Sequence, residues 1–316
     1  MKPIVALPFR HQAGLICEEA RQMLLDAGFE LVCNETGTRL SREDQKAMIE
    51  NAFAVIAGTE KYDADMLSGA KNLKAVIRFG VGTDNFDIET MRSKGISLGV
   101  IANHNSVAEF ALTLMLGAVK NLPKFDATVR EGAWTRYPMF ELSYKTVGIV
   151  GFGRIGRRLA ELLKGFNVDI LVYDPYVKPE DVAQCGGTAV SLDELLQKSD
   201  FVSLHLPATP QTHHLINASA LGLMKPNAYL INTSRGALVD ETALYEVLST
   251  GRIRGAALDV YEMEPVQKGN PLFELDNIVL APHVSAMSHE TNYNGGIICA
   301  KSIIQVYQGG KPVYPI

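Results

Sequence analysis

Two successive alternations of short apolar runs with longer amphipathic stretches limit what this chain can become more than any other feature. Short buried strands separated by helices build parallel sheets, because the crossover between parallel strands needs a dozen or more residues and a helix supplies them. In the first alternation strands are expected at Ile4–Leu7, Glu30–Cys33, 54–57, Ala75–Arg78 and Ser97–Val100, and helices over 14–27 and 41–51. Ser41, three residues before Asp44, marks the start of the second helix. The second alternation runs through Thr146–Val150, Asp169–Tyr173, 201–205, 228–232, Gly255–Leu258 and 277–280, and a long amphipathic segment, 288–308, follows it. Two sheets in 316 residues imply two α/β lobes rather than one core. Ligands of open parallel sheets bind beyond the carboxyl ends of the strands, so chemistry is expected in the loops there.

Composition excludes several classes of function. Forty-seven per cent hydrophobic and 21% charged residues suit a packed globular protein. A net charge of −5 argues against an electrostatic grip on nucleic acid or anionic lipid, and no basic stripe develops beyond Arg157-Arg158. The most apolar segment, 107–119, is 13 residues long and carries Glu109; it is too short to span a bilayer and reads as a buried helix. The first ten residues hold no long apolar stretch of the kind a signal peptide needs. Cys17, Cys33, Cys185 and Cys299 lie far apart without a CxxC pair, which points to reduced thiols and a cytoplasmic chain. His213 and His214 are adjacent, a spacing that suits no usual ligand set, and no metal site is expected.

Gly151-Phe-Gly153-Arg154-Ile155-Gly156 follows the apolar run 147–150 and opens a helical stretch, 154–166. The first glycine permits a tight turn, the second lets backbone approach a pyrophosphate, and the third lets helix pack on strand. The helix start then offers unpaired N–H groups and the positive end of its dipole to phosphates. Asp174 stands 18 residues after Gly156 at the end of a predicted strand, where a carboxylate can accept from ribose hydroxyls, and Pro175 sets the turn after it. A carboxylate there repels a 2′-phosphate, so NAD is expected rather than NADP.

Further motifs stand in series: Ser203-Leu-His205-Leu-Pro207 with Thr212, the run 231–240 around Thr233 and Arg235, the run 256–265 with Asp259 and Glu264, and Ala281-Pro-His283. Together with the glycine turn they resemble the D-isomer-specific 2-hydroxyacid dehydrogenase family, and within it the phosphoglycerate dehydrogenase-like branch. The resemblance runs along nearly the whole chain. It implies a Rossmann-type doubly wound sheet, residues 101–285, inserted into a flavodoxin-like substrate lobe built from 1–100 and 286–316. It also implies a homodimer paired through 107–119 and 121–137, whose apolar content exceeds what a lone lobe should expose.

The chemistry of such a family needs hydride at C2 of a 2-keto acid and a proton at its oxygen. His283 is the expected acid/base, since imidazole titrates near working pH. Glu264 would orient the ring and favour its charged form, and Arg235 would hold the substrate carboxylate with its forked donors. The resemblance assigns Asp259 to the nicotinamide carboxamide and His205, Pro207, Thr212 and Thr233 to the cofactor channel. It gives the loop Arg78-Phe-Gly80-Val81-Gly82 to the substrate carboxylate, where two glycines allow backbone N–H groups to point at an anion.

The substrate is less legible. Gly132-Ala-Trp134 and the run 141–146 are similar to phosphoglycerate dehydrogenases, as is the Arg78 loop. Two departures weaken that label and keep hydroxypyruvate or glyoxylate reduction as the alternative. The chain stops at Ile316, before the regulatory domains that longer members carry, and Ala57-Gly58-Thr59-Glu60 stands where several members place a phosphate-binding arginine. A formate-type enzyme usually has glutamine at the glutamate position, so Glu264 argues against it. A nucleotide-sensing corepressor could keep every motif, and only turnover separates it from an enzyme.

Overall fold

The computed structural model describes residues 2–9, 16–101 and 104–316. They divide into two compact units, Met1–Asn103 with Ala286–Ile316, and His104–Ser285.

In the first unit strands β1 (Ile4–Leu7), β2 (Glu30–Cys33), β3 (Ala52–Ala57), β4 (Ala75–Arg78) and β5 (Ser97–Val100) form one parallel sheet in the order β2-β1-β3-β4-β5. This is the flavodoxin-like order. Helices α1 (Glu18–Asp26), α2 (Arg42–Ile49) and α3 (Ile88–Ser93) accompany it. Alternate strand residues serve opposite faces: Val5, Leu7, Ala54, Ile56 and Ile77 enter one core, Ala6, Val55, Ala57 and Val76 the other. Because both faces are covered, the strands read as unbroken apolar runs. The C-terminal helix, His289–Tyr307, joins the first of these cores through Cys299, Ala300 and Ile303, each fully buried beside Ala20 and Leu24 of α1. Burying one such isoleucine side chain contributes about 1.5–3 kcal/mol, enough to fix where the returning segment docks.

The second unit opens with α4 (His104–Val119) and α5 (Leu122–Arg130). Its sheet has β6 (Thr146–Val150), β7 (Asp169–Tyr173), β8 (Gly187–Ala189), β9 (Phe201–Leu204), β10 (Tyr229–Asn232), β11 (Gly255–Leu258) and β12 (Ile278–Leu280). The order is β12-β11-β10-β9-β6-β7-β8, parallel throughout, a doubly wound Rossmann-type sheet that reverses between β6 and β9. Helices α6 (Arg154–Leu163), α7 (Pro179–Gln184), α8 (Leu192–Lys198), α9 (Ala218–Leu223) and α10 (Glu241–Ser249) connect the strands. Val150, Leu204, Leu230 and Leu258 face one core, Val147, Ile149, Ile231 and Ala257 the other.

Several expectations shift in detail. Ser41 caps α2 by accepting the Asp44 N–H, as the capping pattern predicts. Helix 14–27 narrows to Glu18–Asp26; residues 14 and 15 lie outside the described residues, and Cys17 is the extended residue before the helix. The stretch 154–166 ends as α6 at Leu163 with a 3₁₀ turn, Lys164–Phe166, after it. Strand β8 was not anticipated, being three residues long without a fully buried side chain. The helix expected over 107–119 forms within α4 and sets Ala111, Leu114, Met115, Ala118 and Val119 in the core of its own unit, while Phe110, Leu112 and Leu116 are only partly buried. What stays exposed lies after it: α5 buries no residue, and Leu122, Val129 and Trp134 are largely in solvent.

Candidate active site

The glycine turn sits where the second sheet reverses. Gly151 follows β6 with φ +97°, a conformation L side chains rarely adopt, and its N–H bonds the Tyr173 carbonyl at 2.8 Å. A Cβ on Gly156 would lie 2.3 Å from the Gly151 carbonyl oxygen, so α6 can approach the turn only with glycine there. A Cβ on Gly153, by contrast, would meet nothing within 4 Å. The first and third glycines are thus demanded by the chain itself, while the second leaves open space at the start of α6. Arg154 is exposed and Ile155 half-buried at that start.

Asp174 ends up against the turn. Its Oδ2 accepts the Phe152 N–H at 2.7 Å and its Oδ1 the Tyr176 N–H at 2.9 Å, with Pro175 exposed between. The carboxylate is held rigidly and keeps acceptor sites for two hydroxyls. Across the reversal, the His205 N–H bonds the Val150 carbonyl at 2.7 Å, and His205 Nε2 lies 2.9 Å from Ser203 Oγ. Burial pushes the His205 imidazole down to about 4, so it is neutral at working pH. Its Nδ1 and the Thr233 hydroxyl oxygen are buried with no hydrogen-bond partner among the described residues. Thr212 is occupied differently: its hydroxyl donates to the exposed Pro207's carbonyl at 2.7 Å and closes the 207–212 loop.

Three strand-end loops of the same sheet gather Arg235, Glu264 and His283. His283 Nδ1 lies 2.6 Å from Glu264 Oε2. The other Glu264 oxygen, Oε1, accepts the Tyr261 N–H at 3.0 Å. Burial alone would raise the Glu264 carboxyl, but the bond to His283, its charge, the Tyr261 N–H and the Arg235 charge together hold it below its ordinary value. It therefore stays ionised at working pH beside the imidazole. Arg235 follows β10, where Asn232 fixes it by donating Nδ2–H to the Arg235 carbonyl at 2.8 Å and accepting the Ser234 N–H at 3.0 Å. Arg235 Nη1 donates to the Ser234 carbonyl at 2.6 Å.

Sequence reasoning missed how these loops are braced. Asp259 is fully buried, and its two oxygens accept the Val284 and Ser285 N–H groups, each at 2.8 Å, while its carbonyl accepts the His283 N–H at 2.8 Å. The carboxylate anchors the backbone that carries His283, which has φ +56°. Glu241 and Glu262 clasp one another, each backbone N–H bonding the other's carboxylate at 3.0 and 2.7 Å, and His214 Nε2 lies 2.9 Å from Glu262 Oε1. Gly236 packs directly on the backbone of Tyr261 and Glu262. A glycine after Arg235 was visible in the chain; the surface it meets was not. Among the described residues no group of three or more His, Cys, Asp and Glu side chains could hold a metal ion.

In the first unit, the Arg78 guanidinium folds over its own loop, donating Nε–H to the Gly82 carbonyl at 3.3 Å and Nη1–H to the Phe79 carbonyl at 3.0 Å. A Cβ on Gly80 would lie 2.9 Å from Arg78 Cζ, so the guanidinium packs directly over this part of the loop. Val81 is exposed at its tip.

The second unit's sheet order, open turn and braced loops agree with what comparison finds. Residues 112–285 match the family described as D-isomer specific 2-hydroxyacid dehydrogenase, NAD binding domain. The chain belongs to the D-isomer-specific 2-hydroxyacid dehydrogenase family. It is 38% identical to D-3-phosphoglycerate dehydrogenase of Archaeoglobus fulgidus over 314 residues, which cover 98% of this chain and 58% of that protein. It is 42% identical to glyoxylate reductase of Thermococcus litoralis over 267 residues, 80% of each chain. The crystal structure of a glyoxylate reductase from Paecilomyes thermophila superposes with a TM-score of 0.89 at 27% identity, covering 100% of this chain and 98% of that one. The chain thus spans a little over half the length of the phosphoglycerate dehydrogenase relative. No helix among the described residues is long and apolar enough to cross a membrane.

The residues present fit the dinucleotide that the family's domain binds. Gly153 leaves room where a phosphate would approach backbone, Asp174 is fixed beside that turn, and two orphaned buried polar atoms, His205 Nδ1 and Thr233 Oγ1, lie at neighbouring strand ends.

Proposed function

We propose that this protein is an NAD-dependent oxidoreductase interconverting a small D-2-hydroxy acid and its 2-keto acid. The observation that carries the reading is the 2.6 Å contact between His283 Nδ1 and an ionised Glu264, in loops that also bear Arg235. Glu264 holds the ring by Nδ1, leaving Nε2 to give a proton to the carbonyl oxygen, or to take one from the hydroxyl. Arg235 binds the substrate carboxylate and polarises the carbonyl beside it, and the Arg78, Gly80, Val81 and Gly82 loop of the first unit offers donors suited to a substrate carboxylate. Gly151, Gly153, Arg154, Ile155 and Gly156 would take the pyrophosphate, Asp174 and Pro175 the adenosine ribose, and His205, Pro207, Thr212, Thr233 and Asp259 the remaining cofactor surface. When bound, nicotinamide supplies the hydride that C2 of the keto acid takes up.

The relatives named phosphoglycerate dehydrogenase and glyoxylate reductase point to short 2-keto acids as substrates. A panel of these with NADH is expected to give steady NADH oxidation. Binding of NADH without turnover of any acid would instead make the protein a nucleotide sensor.

Cofactor choice rests on Asp174. Wild-type protein is expected to use NADH in preference to NADPH, and Asp174→Ala to narrow that gap by weakening NADH. Equal use of both by the wild type, read from kcat/KM, would remove the role given to this carboxylate.

The exposed apolar side chains after α4 support a homodimer. Leu122, Val129 and Trp134 project from α5 and the following segment. A hollow of about 490 Å³ beside them is lined by Tyr137, Met139, Phe140 and Tyr229. Such a face suits a self-complementary contact with a second copy. Light scattering is expected to give the mass of two chains; a monomer at working concentration would refute it. Four free cysteines fit a cytoplasmic, reducing environment.

A further inference from the structure

The helix that opens the second unit carries a hydroxyl that the roles above leave unused. Ser106 is the third residue of α4, and its Oγ–H donates to the Ser285 carbonyl at 2.6 Å, 179 residues along the chain. A helical serine commonly returns its hydroxyl to a backbone group nearby, whereas this one reaches a distant loop. The bond joins the two ends of its unit. That unit begins at His104 and ends at Ser285, since the first unit's chain runs to Asn103 and resumes at Ala286. Ser285 is 3% exposed, and among the described residues the Ser106 hydroxyl is the donor that its buried carbonyl has.

The same short run of backbone carries the His283 ring. The Ser285 and Val284 N–H groups bond the two Asp259 carboxylate oxygens, and the His283 N–H bonds the Asp259 carbonyl, each at 2.8 Å. Asp259 thus holds the run from one side through N–H groups alone. It leaves the Ser285 carbonyl, the last of the run, to be fixed by Ser106. Without that hydroxyl a buried carbonyl would stand unpaired, and the free energy this costs favours turning the peptide to find a donor. His283 has little tolerance for such a turn. Its φ of +56° lies where a non-glycine residue persists only when its surroundings impose the conformation.

We propose that Ser106 is a positioning residue for the proton-transfer step, fixing through Ser285 the backbone that carries the His283 ring to Glu264. The proposal rests on the oxidoreductase reading and extends its proton-transfer apparatus to the start of α4. The role requires no contact between Ser106 and substrate or cofactor. A displacement near 1 Å at a reacting group costs about a hundredfold in rate, so the partial shift expected here costs about tenfold.

The test compares Ser106→Ala and Ser106→Thr with wild type, using NADH with glyoxylate and hydroxypyruvate. Ser106→Ala should lower kcat about tenfold while the keto-acid KM and the Kd for NADH stay within about twofold. Ser106→Thr keeps the hydroxyl and should bring kcat back to within about twofold of wild type. Helices prefer alanine to serine, so a role confined to holding α4 would leave the urea midpoint equal or higher and kcat intact. In a His283→Ala background the alanine substitution should cost no further turnover, because its effect runs through that ring. An unchanged kcat in Ser106→Ala, a loss that threonine does not restore, an equal loss in the His283→Ala background, or a parallel fall in NADH affinity overturns the proposal. Normal turnover by His283→Ala itself, or none by wild type with either acid, would instead sink the oxidoreductase reading and take the proposal with it.

Discussion

Replacing Gly236 with alanine is expected to destabilise the protein at or beyond the top of the usual range of about 1–3 kcal/mol for an overpacked site, and to lower turnover about a hundredfold or more. An alanine Cβ at that position would lie 1.9 Å from the Tyr261 carbonyl carbon, 2.0 Å from its oxygen and 2.4 Å from the Glu262 nitrogen. All three are backbone atoms, so no change of rotamer can relieve the contact. The 261–264 segment has little room to yield, since the Glu241–Glu262 clasp, the Glu264–Tyr261 bond and the Tyr261 hydroxyl's bond to the Ala281 carbonyl at 2.9 Å all hold it. If it does move, Glu264 moves away from His283, and a displacement near 1 Å is enough to cost about two orders of magnitude in rate. Urea denaturation and keto-acid turnover read the two effects separately. An unchanged midpoint together with unchanged turnover would mean that the Arg235 and Glu264 loops are not locked through this glycine.

His283→Ala is expected to reduce kcat by about 10²–10⁴-fold, the usual contribution of a positioned acid/base, while NADH affinity changes little. The separation follows from the geometry. His283 contributes its side chain to the Glu264 carboxylate, whereas the loop's position is kept by the Val284 and Ser285 N–H bonds to Asp259, which the substitution leaves alone. The glycine turn and Asp174 belong to other loops and are untouched. Near-normal turnover would remove His283 from the reaction. A parallel collapse of NADH binding would show that the residue supports the fold of the site rather than proton transfer.

Much of the molecule was legible before folding, for identifiable reasons. Both parallel sheets followed from runs that are apolar on both faces, because helices cover both sides and leave no polar alternation. The turn at Gly151–Gly156 was legible because a positive φ and a 2.3 Å approach each require glycine at a set spacing. Strand β8 escaped because three half-exposed residues carry too little pattern. The helix after residue 104 was legible as buried from its apolar run, though periodicity marks which residues are buried and not what buries them.

Arg235, Glu264 and His283 were readable as residue types suited to moving a proton and holding a carboxylate, each after a predicted strand. Parallel strands bring their carboxyl ends together whatever the connecting helices, so local order along the chain was sufficient to place them on one edge. The 2.6 Å imidazole–carboxylate contact, the Asp259 anchor of the His283 loop and the backbone seat of Gly236 arose only in the folded chain. They depend on which backbone groups meet carboxylates or other backbone across loops up to 26 residues apart, and such pairings leave no periodic trace in a sequence. Short-range order thus decided the kind of chemistry, and long-range packing decided the distances at which it operates.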